Sequence, residues 1–447
     1  MLHVHRSERA DRLVEGLAEL LREPPADPVA VEVVAVPAKG VERWVTQRLS
    51  HVLGALGGED GVCANVRFPS PAALVAEAIT ATDESAGEDN AWERGRLLWT
   101  LLEVIDDSGD EPWAAALGTR RLTAAQHLAA LFDSYGAHRP AMLRAWADGD
   151  DSDGAGVQLS DDLIWQAELW RRLRERIGTP SPAERLPQAC AAILERPKIV
   201  DLPDRLSLFG PTRLTTAQLQ VIAALAHARK VHLWLPHPSA VLWDAVAPYA
   251  ATNRRTRRRE DQTADVVRNP LLASLGRDAR ELQLQLAACD AAVTDEHLPL
   301  EGRPLTLLGR LQESLQDDAP PEPRAEPLDE KDRSLQVHAC HGPARQVEVL
   351  RDVVTGLLAD DPTLEPQEWV VESGVRWGLD APHRGRFGLS KVAQNTWRAG
   401  LDRILLGASM AEDDLRWVGL ALPLDDVDRT DIDLAGRLAE LLDRLAV

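Results

Sequence analysis

Apolar residues return at the spacing of one helix face through Leu13, Leu17, Leu20 and Leu21, predicting an amphipathic helix that packs on a sheet. The segment before it, LHVHR, reads as a strand. His5-Arg6-Ser7-Glu8-Arg9 is the turn between them, with Ser7 a candidate N-cap, and Pro24-Pro25 ends the helix. The run from Val29 to Val36 is too apolar and too β-branched for a half-exposed strand, so it predicts a central parallel strand covered on both sides. Lys39-Gly40 then turns the chain into a helix whose face is Val41, Trp44, Val45, Leu49 and Val52. From about residue 70 to 200 the pattern is mainly helical. Trp92, Trp99, Trp113, Trp146, Trp165 and Trp170 lie among its leucines and alanines, an arrangement that usually builds core. Polar breaks at 83–90 and 148–156 read as surface loops. A strand-helix-strand unit follows, with strands near 205–209 and 231–235, then an arginine-rich loop and a helix opening NPLLASLGRDARELQLQL. Residues 316–334 are proline-rich and charged, the composition of an interdomain linker. LQVHACHGPARQVEVLRDVV beyond it predicts strand, turn and helix again, and the last eighty residues read as helical.

Composition changes this picture little. A chain of 447 residues with 45% hydrophobic residues has room for two to four domains. Five lysines against forty-five arginines point to a GC-rich genome before any function. The net charge of -21 argues against a general polyanion binder but allows a local basic channel. No run of 18 apolar residues and no signal peptide is visible, so the expected compartment is the cytoplasm. Cys63, Cys190, Cys289 and Cys340 are far apart, which suggests reduced, mostly buried thiols in place of a disulfide framework or zinc knuckle.

Candidate chemistry narrows quickly. Strand-turn-helix is where a phosphate-binding GxxxxGK[ST] loop would sit, yet the opening turn has neither glycine nor lysine. Lys39, Lys198, Lys230, Lys331 and Lys391 are followed by Gly, Ile, Val, Asp and Val, so no GK[ST] exists anywhere. Asp295-Glu296-His297 is the one candidate for a magnesium-binding acidic motif, but it precedes a proline in a polar stretch. In the loop around Gly154 the calcium-loop spacing places Gly149 and Ser160 at the first and twelfth ligand positions, and the pattern fails. His338, Cys340 and His341 lack a fourth metal ligand of convincing spacing. Arg254, Arg255, Arg257, Arg258 and Arg259 form the strongest basic patch, either a solvated loop partly neutralised by Glu260 and Asp261 or a phosphate contact. Lys39 with Arg43, at a helix start whose amides favour anions, is a second candidate. In LFDSYGAHRP, Asp133 and Arg139 either pair with each other at a helix end or read a single strand, whose base edges are exposed.

LHVHRSERADRL, PAKGVERW, ANVRFPSPAALV, LFDSYGAHRP, LPDRLSLFG, NPLLASLGRDA, VHACHGPARQVEVLRD, ESGVRWGLD and NTWRAGLDRILLGASM occur in order along nearly the whole chain. Together they resemble the gamma subunit of exodeoxyribonuclease V, the RecC family. The resemblance implies an α/β fold with large helical insertions and degenerate superfamily-one helicase-like, P-loop-NTPase-like cores that lack Walker motifs. It implies a DNA-binding and scaffolding subunit of a RecBCD-type helicase-nuclease in double-strand break repair. RecB-type and RecD-type partners would carry the ATP, magnesium and cleavage chemistry, this chain holding no cofactor, and double-stranded ends and single-stranded DNA would be the nucleic acids bound. Leu131, Asp133 and Arg139 match family positions that contact the recombination-hotspot strand. Pro37, Lys39, Arg43, Ser70, Ala76 and Ala130 fall on further contact positions with different side chains.

Against the family pattern the chain is short, and LEPQE passes directly into WVVESG, a segment the family places later. The expected organisation is therefore a first helicase-like domain over 1–315, a linker over 316–334, a shortened second α/β domain over 335–368 and a helical segment over 369–447, internally deleted and C-terminally truncated. The alternative is a stand-alone interaction protein or remnant that binds no DNA.

Overall fold

A computed structural model of the protein describes residues 1–360 except 24, 26, 28–29, 55–60, 83–90, 117–120, 251–260, 290, 300–301, 303–304, 321–328 and 330. The chain divides into two units, one of Met1–Pro37 with Ala64–Leu328, the other of Ala38–Cys63 with the residues from Asp329 onward.

The first unit is built on a parallel six-stranded sheet of order β3-β2-β4-β5-β1-β6. Its strands are β1 (Leu2–Ser7), β2 (Glu32–Ala35), β3 (Val66–Arg67), β4 (Arg205–Phe209), β5 (Lys230–Pro236) and β6 (Val293–His297). Alternation sends Leu2, Val4, Val33, Ala35, Leu206, Leu208, Val231 and Leu233 to one face, where they join a single apolar core. On the other face α1 (Ala10–Arg22) lies over β1 and β5. Leu13 and Leu17 of α1 are fully buried, each contributing about 2 kcal/mol by removal from water. Gly16 permits the close approach, because a β-carbon there would lie 2.7 Å from the Trp234 ring. As the valine run predicts, β2 is an inner strand, parallel to β3 and β4 on its two sides.

Between β2 and β4 the same unit carries a helical insertion, in agreement with the helical pattern from residue 70 to 200. α3 (Pro71–Thr80) and α9 (Pro182–Glu195) pack with the sheet core, as does α10 (Thr216–Ala228) between β4 and β5. α4 (Arg94–Asp107), α6 (Arg121–His138), α7 (Pro140–Ala147) and α8 (Ile164–Ile177), with short α5 (Pro112–Ala116), enclose a second core. Trp92, Trp146 and Trp170 are buried in it and Trp113 and Trp165 partly so, but Trp99 is 59% exposed and departs from the expected stripe. α11 (Ala240–Ala250), α12 (Pro270–Leu275), α13 (Arg277–Ala287) and α14 (Leu307–Gln316) complete the unit.

Capping fixes several helix starts. Ser181 with Glu184 and Thr215 with Gln218 form reciprocal capping boxes, and Asn269 accepts the Leu271 and Leu272 amides. Ser7 does not cap α1. Its hydroxyl donates to the Leu298 carbonyl at 2.8 Å, and the helix begins at Ala10 after Arg9, without a side-chain cap. Several arginines serve the fold. Arg205 donates to the carbonyls of Leu20 and Glu23 and pairs with Glu32, tying β4 to the end of α1 and to β2. Buried Arg229 donates to the carbonyls of Pro197, Val200 and Leu202.

The proline-rich stretch starts inside the fold. Asp318 is 2% exposed and its carboxylate accepts the amides of Arg268 and Asn269 at 2.9 to 3.1 Å. In the second unit α2 (Lys39–Ser50) buries Trp44, Val45 and Leu49, and α15 (Gly342–Asp360) forms as expected. The strand expected before α15 is absent. Residues 335–341 have no regular structure and Val337 is 93% exposed, since no neighbouring strand among the described residues supplies a ladder. The segment 369–447 lies outside the described residues.

Candidate nucleic-acid interface

At the carboxyl ends of β1 and β5 the chain's direction across the sheet reverses, β1 leading to β2 and β5 leading to β6 on the opposite side. Parallel α/β sheets bind ligands at such a crevice. Here side chains fill it. Arg6, 6% exposed, donates through Nε and Nη2 to the Asp295 carboxylate at 2.8 and 3.0 Å, and its guanidinium lies 4.7 Å from the Trp243 ring centre. The His237 amide donates to the Ser7 carbonyl at 2.8 Å, and the His237 ring meets Trp243 edge-on. Burial, reinforced by the Arg6 charge, pushes the His237 imidazole down to about 3. His297 Nε2 lies 2.9 Å from the Glu8 carboxylate, and Arg9 pairs with Asp11. Phosphates would therefore meet two carboxylates, Glu8 and Asp295, at the turn where a nucleotide site would need amide and lysine donors.

Asp295-Glu296-His297, polar in sequence, does not follow a buried strand but forms part of a largely exposed one. The three residues lie on edge strand β6, paired with β1, and they contact Arg6, His5 and Glu8 respectively. On the sheet face under α1, His3 and His5 each stack with His232, and His5 also stacks on Trp234. Burial, with the neighbouring imidazoles His5 and His3 opposing a further positive charge, lowers the His232 pKa to about 3.

The LFDSYGAHRP segment forms the end of α6 and the turn into α7. Phe132 is buried in the helical core and Tyr135 Oη lies 3.1 Å from Gln166 Oε1, which anchors the last turn of α6. Leu131 packs partly against that core, whereas Asp133 and Arg139 are exposed. The two charged residues make no ion pair with each other; Asp133 is exposed within α6 and Arg139 is exposed at the turn into α7. Arg139 is the N-cap of α7, its amide bonded to the Tyr135 carbonyl at 2.7 Å. His138, one residue before it, has its carbonyl 2.9 Å from the Thr216 hydroxyl at the start of α10.

Lys39 and Arg43 are exposed on the first turn of α2, Lys39 Nζ lying 3.4 Å from Glu42. They belong to the second unit, and Leu131, Asp133 and Arg139 to the first. Arg254, Arg255, Arg257, Arg258 and Arg259 lie outside the described residues. In the polar loop before α8, Asp150 accepts from Ser152 and Gln158, Asp151 pairs with Arg171, and Asp153 accepts two amides of its own turn. The carboxylates of Asp150, Asp151 and Asp153 are thus committed to protein donors. Sequence patterning does not single out Thr216, Trp243 or His237. Their roles come from contacts across the sheet end, of which only the Thr215 capping signal is readable along the chain.

A parallel six-stranded sheet covered by helices, with a helical insertion, defines an α/β scaffold as the class, and that scaffold is consistent with a helicase-like fold. Residues 2–318 match the family described as RecC, N-terminal domain, and residues 356–447 match the RecBCD enzyme subunit RecC fourth domain. The chain belongs to the RecC family. It is 40% identical over 556 residues to the RecBCD enzyme subunit RecC of Mycobacterium tuberculosis (strain ATCC 25618 / H37Rv), covering 99% of this chain and 49% of the relative. The corresponding subunit of Mycolicibacterium smegmatis is 37% identical over 563 residues, covering 99% and 49%, and that of Escherichia coli K12 is 25% identical over 592 residues, covering 100% and 51%. The chain spans about half the length of these curated relatives. Because the aligned lengths exceed the 447 residues of this chain, stretches of each relative fall opposite gaps within the aligned region.

Proposed function

We propose that this chain is a non-catalytic DNA-engaging and scaffolding component of a RecBCD-type helicase-nuclease, acting in the cytoplasm in recombinational repair of double-strand breaks. The observation that carries the reading is the RecC N-terminal match over residues 2–318 on a sheet whose ligand crevice is occupied by Arg6, Asp295, Trp243 and His237. A helicase-like core without Walker motifs keeps the architecture of a motor while Arg6, Asp295, Trp243 and His237 occupy the place of a phosphate site. ATP and magnesium then belong to RecB-type and RecD-type partners, as does strand cleavage. Exposed Asp133 on α6 and Arg139 at the α6–α7 turn supply an acceptor and a donor, the chemistry suited to unpaired bases. Arg254, Arg255, Arg257, Arg258 and Arg259, with Lys39 and Arg43, supply charge for phosphates. No described helix is long and apolar enough to cross a membrane.

Co-expression with RecB-type and RecD-type subunits from the same genome tests the assembly. A stable ternary complex, with ATPase activity lost when the partners' Walker lysines are replaced, is the expected result. Failure to co-purify, or ATP hydrolysis by this chain alone, would overturn the reading.

A further inference from the structure

Arg139 has an exposed side chain on a backbone that is held from both sides. Its own amide donates to Tyr135, and its carbonyl accepts the Met142 amide at 3.0 Å. The preceding carbonyl, on His138, is among the last of α6 and would lack an intrahelical partner. Thr216 Oγ1 donates to it at 2.9 Å, a contact between residues 78 positions apart. Thr216 is the first residue of α10, whose start is locked by the Thr215–Gln218 capping box. From there α10 runs back through the sheet core, with Leu219, Val221, Ile222 and Leu225 buried. Because α10 follows β4, the bond fastens the α6–α7 turn to the carboxyl end of the sheet, where parallel α/β folds present ligand contacts.

We infer that Thr216 is a positioning residue for DNA binding, setting the direction of Arg139 by anchoring the α6–α7 turn to the sheet. The inference rests on the proposed reading of Arg139 as a DNA contact. Without the hydroxyl, the α6–α7 turn loses its hydrogen bond to α10, and more of the guanidinium's ordering must occur at the moment of binding. A hydrogen bond of ordinary net strength corresponds to about a fivefold change in an equilibrium constant. Thr216→Val keeps the side-chain shape and removes the donor, and Thr216→Ser restores it.

The test measures single-strand affinity by fluorescence anisotropy with a labelled oligonucleotide, using the full chain in complex with its partner subunits. The variants are Thr216→Val, Thr216→Ser, Arg139→Ala and the Thr216→Val/Arg139→Ala double. Arg139→Ala should weaken binding. Thr216→Val should weaken it about fivefold, Thr216→Ser should restore it, and Thr216→Val should add nothing once Arg139 is gone. A merely structural role would instead lower affinity equally in both backgrounds. If Arg139→Ala has no effect, the reading of Arg139 fails. If Arg139→Ala weakens binding while Thr216→Val does not, or if the two effects simply add, the positioning role is overturned and the reading of Arg139 stands.

Discussion

Asp295→Ala and Arg6→Met delete the same ion pair, yet they should cost the protein unequal amounts. The Arg6 side chain is 8% exposed and that of Asp295 is 35% exposed. Removing the carboxylate strands a guanidinium that cannot shed its proton in a protein. Its Nη1 is already without a partner, so two further N–H groups would be left unsatisfied beside it. Breaking a buried pair from one side costs about 3 to 5 kcal/mol. Water reaches Asp295, which places Asp295→Ala near the lower end, at about 3 kcal/mol. Arg6→Met retains an apolar stem beside Trp243 and leaves a carboxylate that water can solvate. It forfeits the cation–π contact and a partly exposed pair, about 1 to 2 kcal/mol together. Urea unfolding of the full chain, followed by far-ultraviolet circular dichroism, gives the midpoint and slope for each variant. The predicted order of stability is wild type, Arg6→Met, then Asp295→Ala. An Arg6→Met variant as destabilised as Asp295→Ala would refute the argument that an uncompensated buried guanidinium dominates this crevice.

Three further outcomes are expected. His232 and His237 are held neutral in the fold, with pKa values near 3 against an ordinary value of about 6.5. The unfolded chain therefore takes up protons that the fold refuses. Stability is fully present above about pH 6.5 and falls toward pH 3, by about 2 kcal/mol per histidine between pH 7 and pH 5. Urea midpoints at the two pH values measure it, and His237→Gln should flatten the slope. Gly154 has φ +72° and a β-carbon there would stand 2.4 Å from the Met142 backbone nitrogen, so Gly154→Ala should lower stability by at least about 2 kcal/mol in the same urea assay. Replacing Arg254, Arg255, Arg257, Arg258 and Arg259 by glutamine should reduce the salt dependence of DNA binding by about 0.7 to 0.9 in log–log slope for each phosphate no longer neutralised, and an unchanged slope would return the cluster to a solvated loop.

The sheet core and the helical insertion were legible because burial leaves a periodic mark. Leu13 and Leu17, the Val33–Val36 run and strands β4 and β5 all follow it. β6 was not legible, since Thr294, Asp295, Glu296 and His297 form an edge strand whose side chains contact His3, Arg6, His5 and Glu8 instead of an apolar core. Trp99 shows the converse, an aromatic in a helical pattern that points outward. Residues 335–341 carry a strand's alternation but find no neighbour to pair with among the described residues, and strand formation needs both. For the site, Asp133 and Arg139 could be named from their segment, but two open roles could not be separated without geometry. The structure removes their mutual pairing. Thr216 lies 78 residues from the carbonyl it holds, and no local pattern reports such a contact. The calcium-loop spacing around Gly154 already fails in the sequence, and the structure supplies the reason for the glycine, the close approach of α7.

Whether this chain engages DNA as a subunit, without enzymatic chemistry of its own, is decided by the equilibrium binding of a blunt duplex end to the reconstituted complex over a salt series, with and without this chain. Including the chain should tighten binding and steepen the fall of affinity with salt, as counterions leave the phosphates its arginines contact. Equal affinity and equal slope in both preparations would rule out that role.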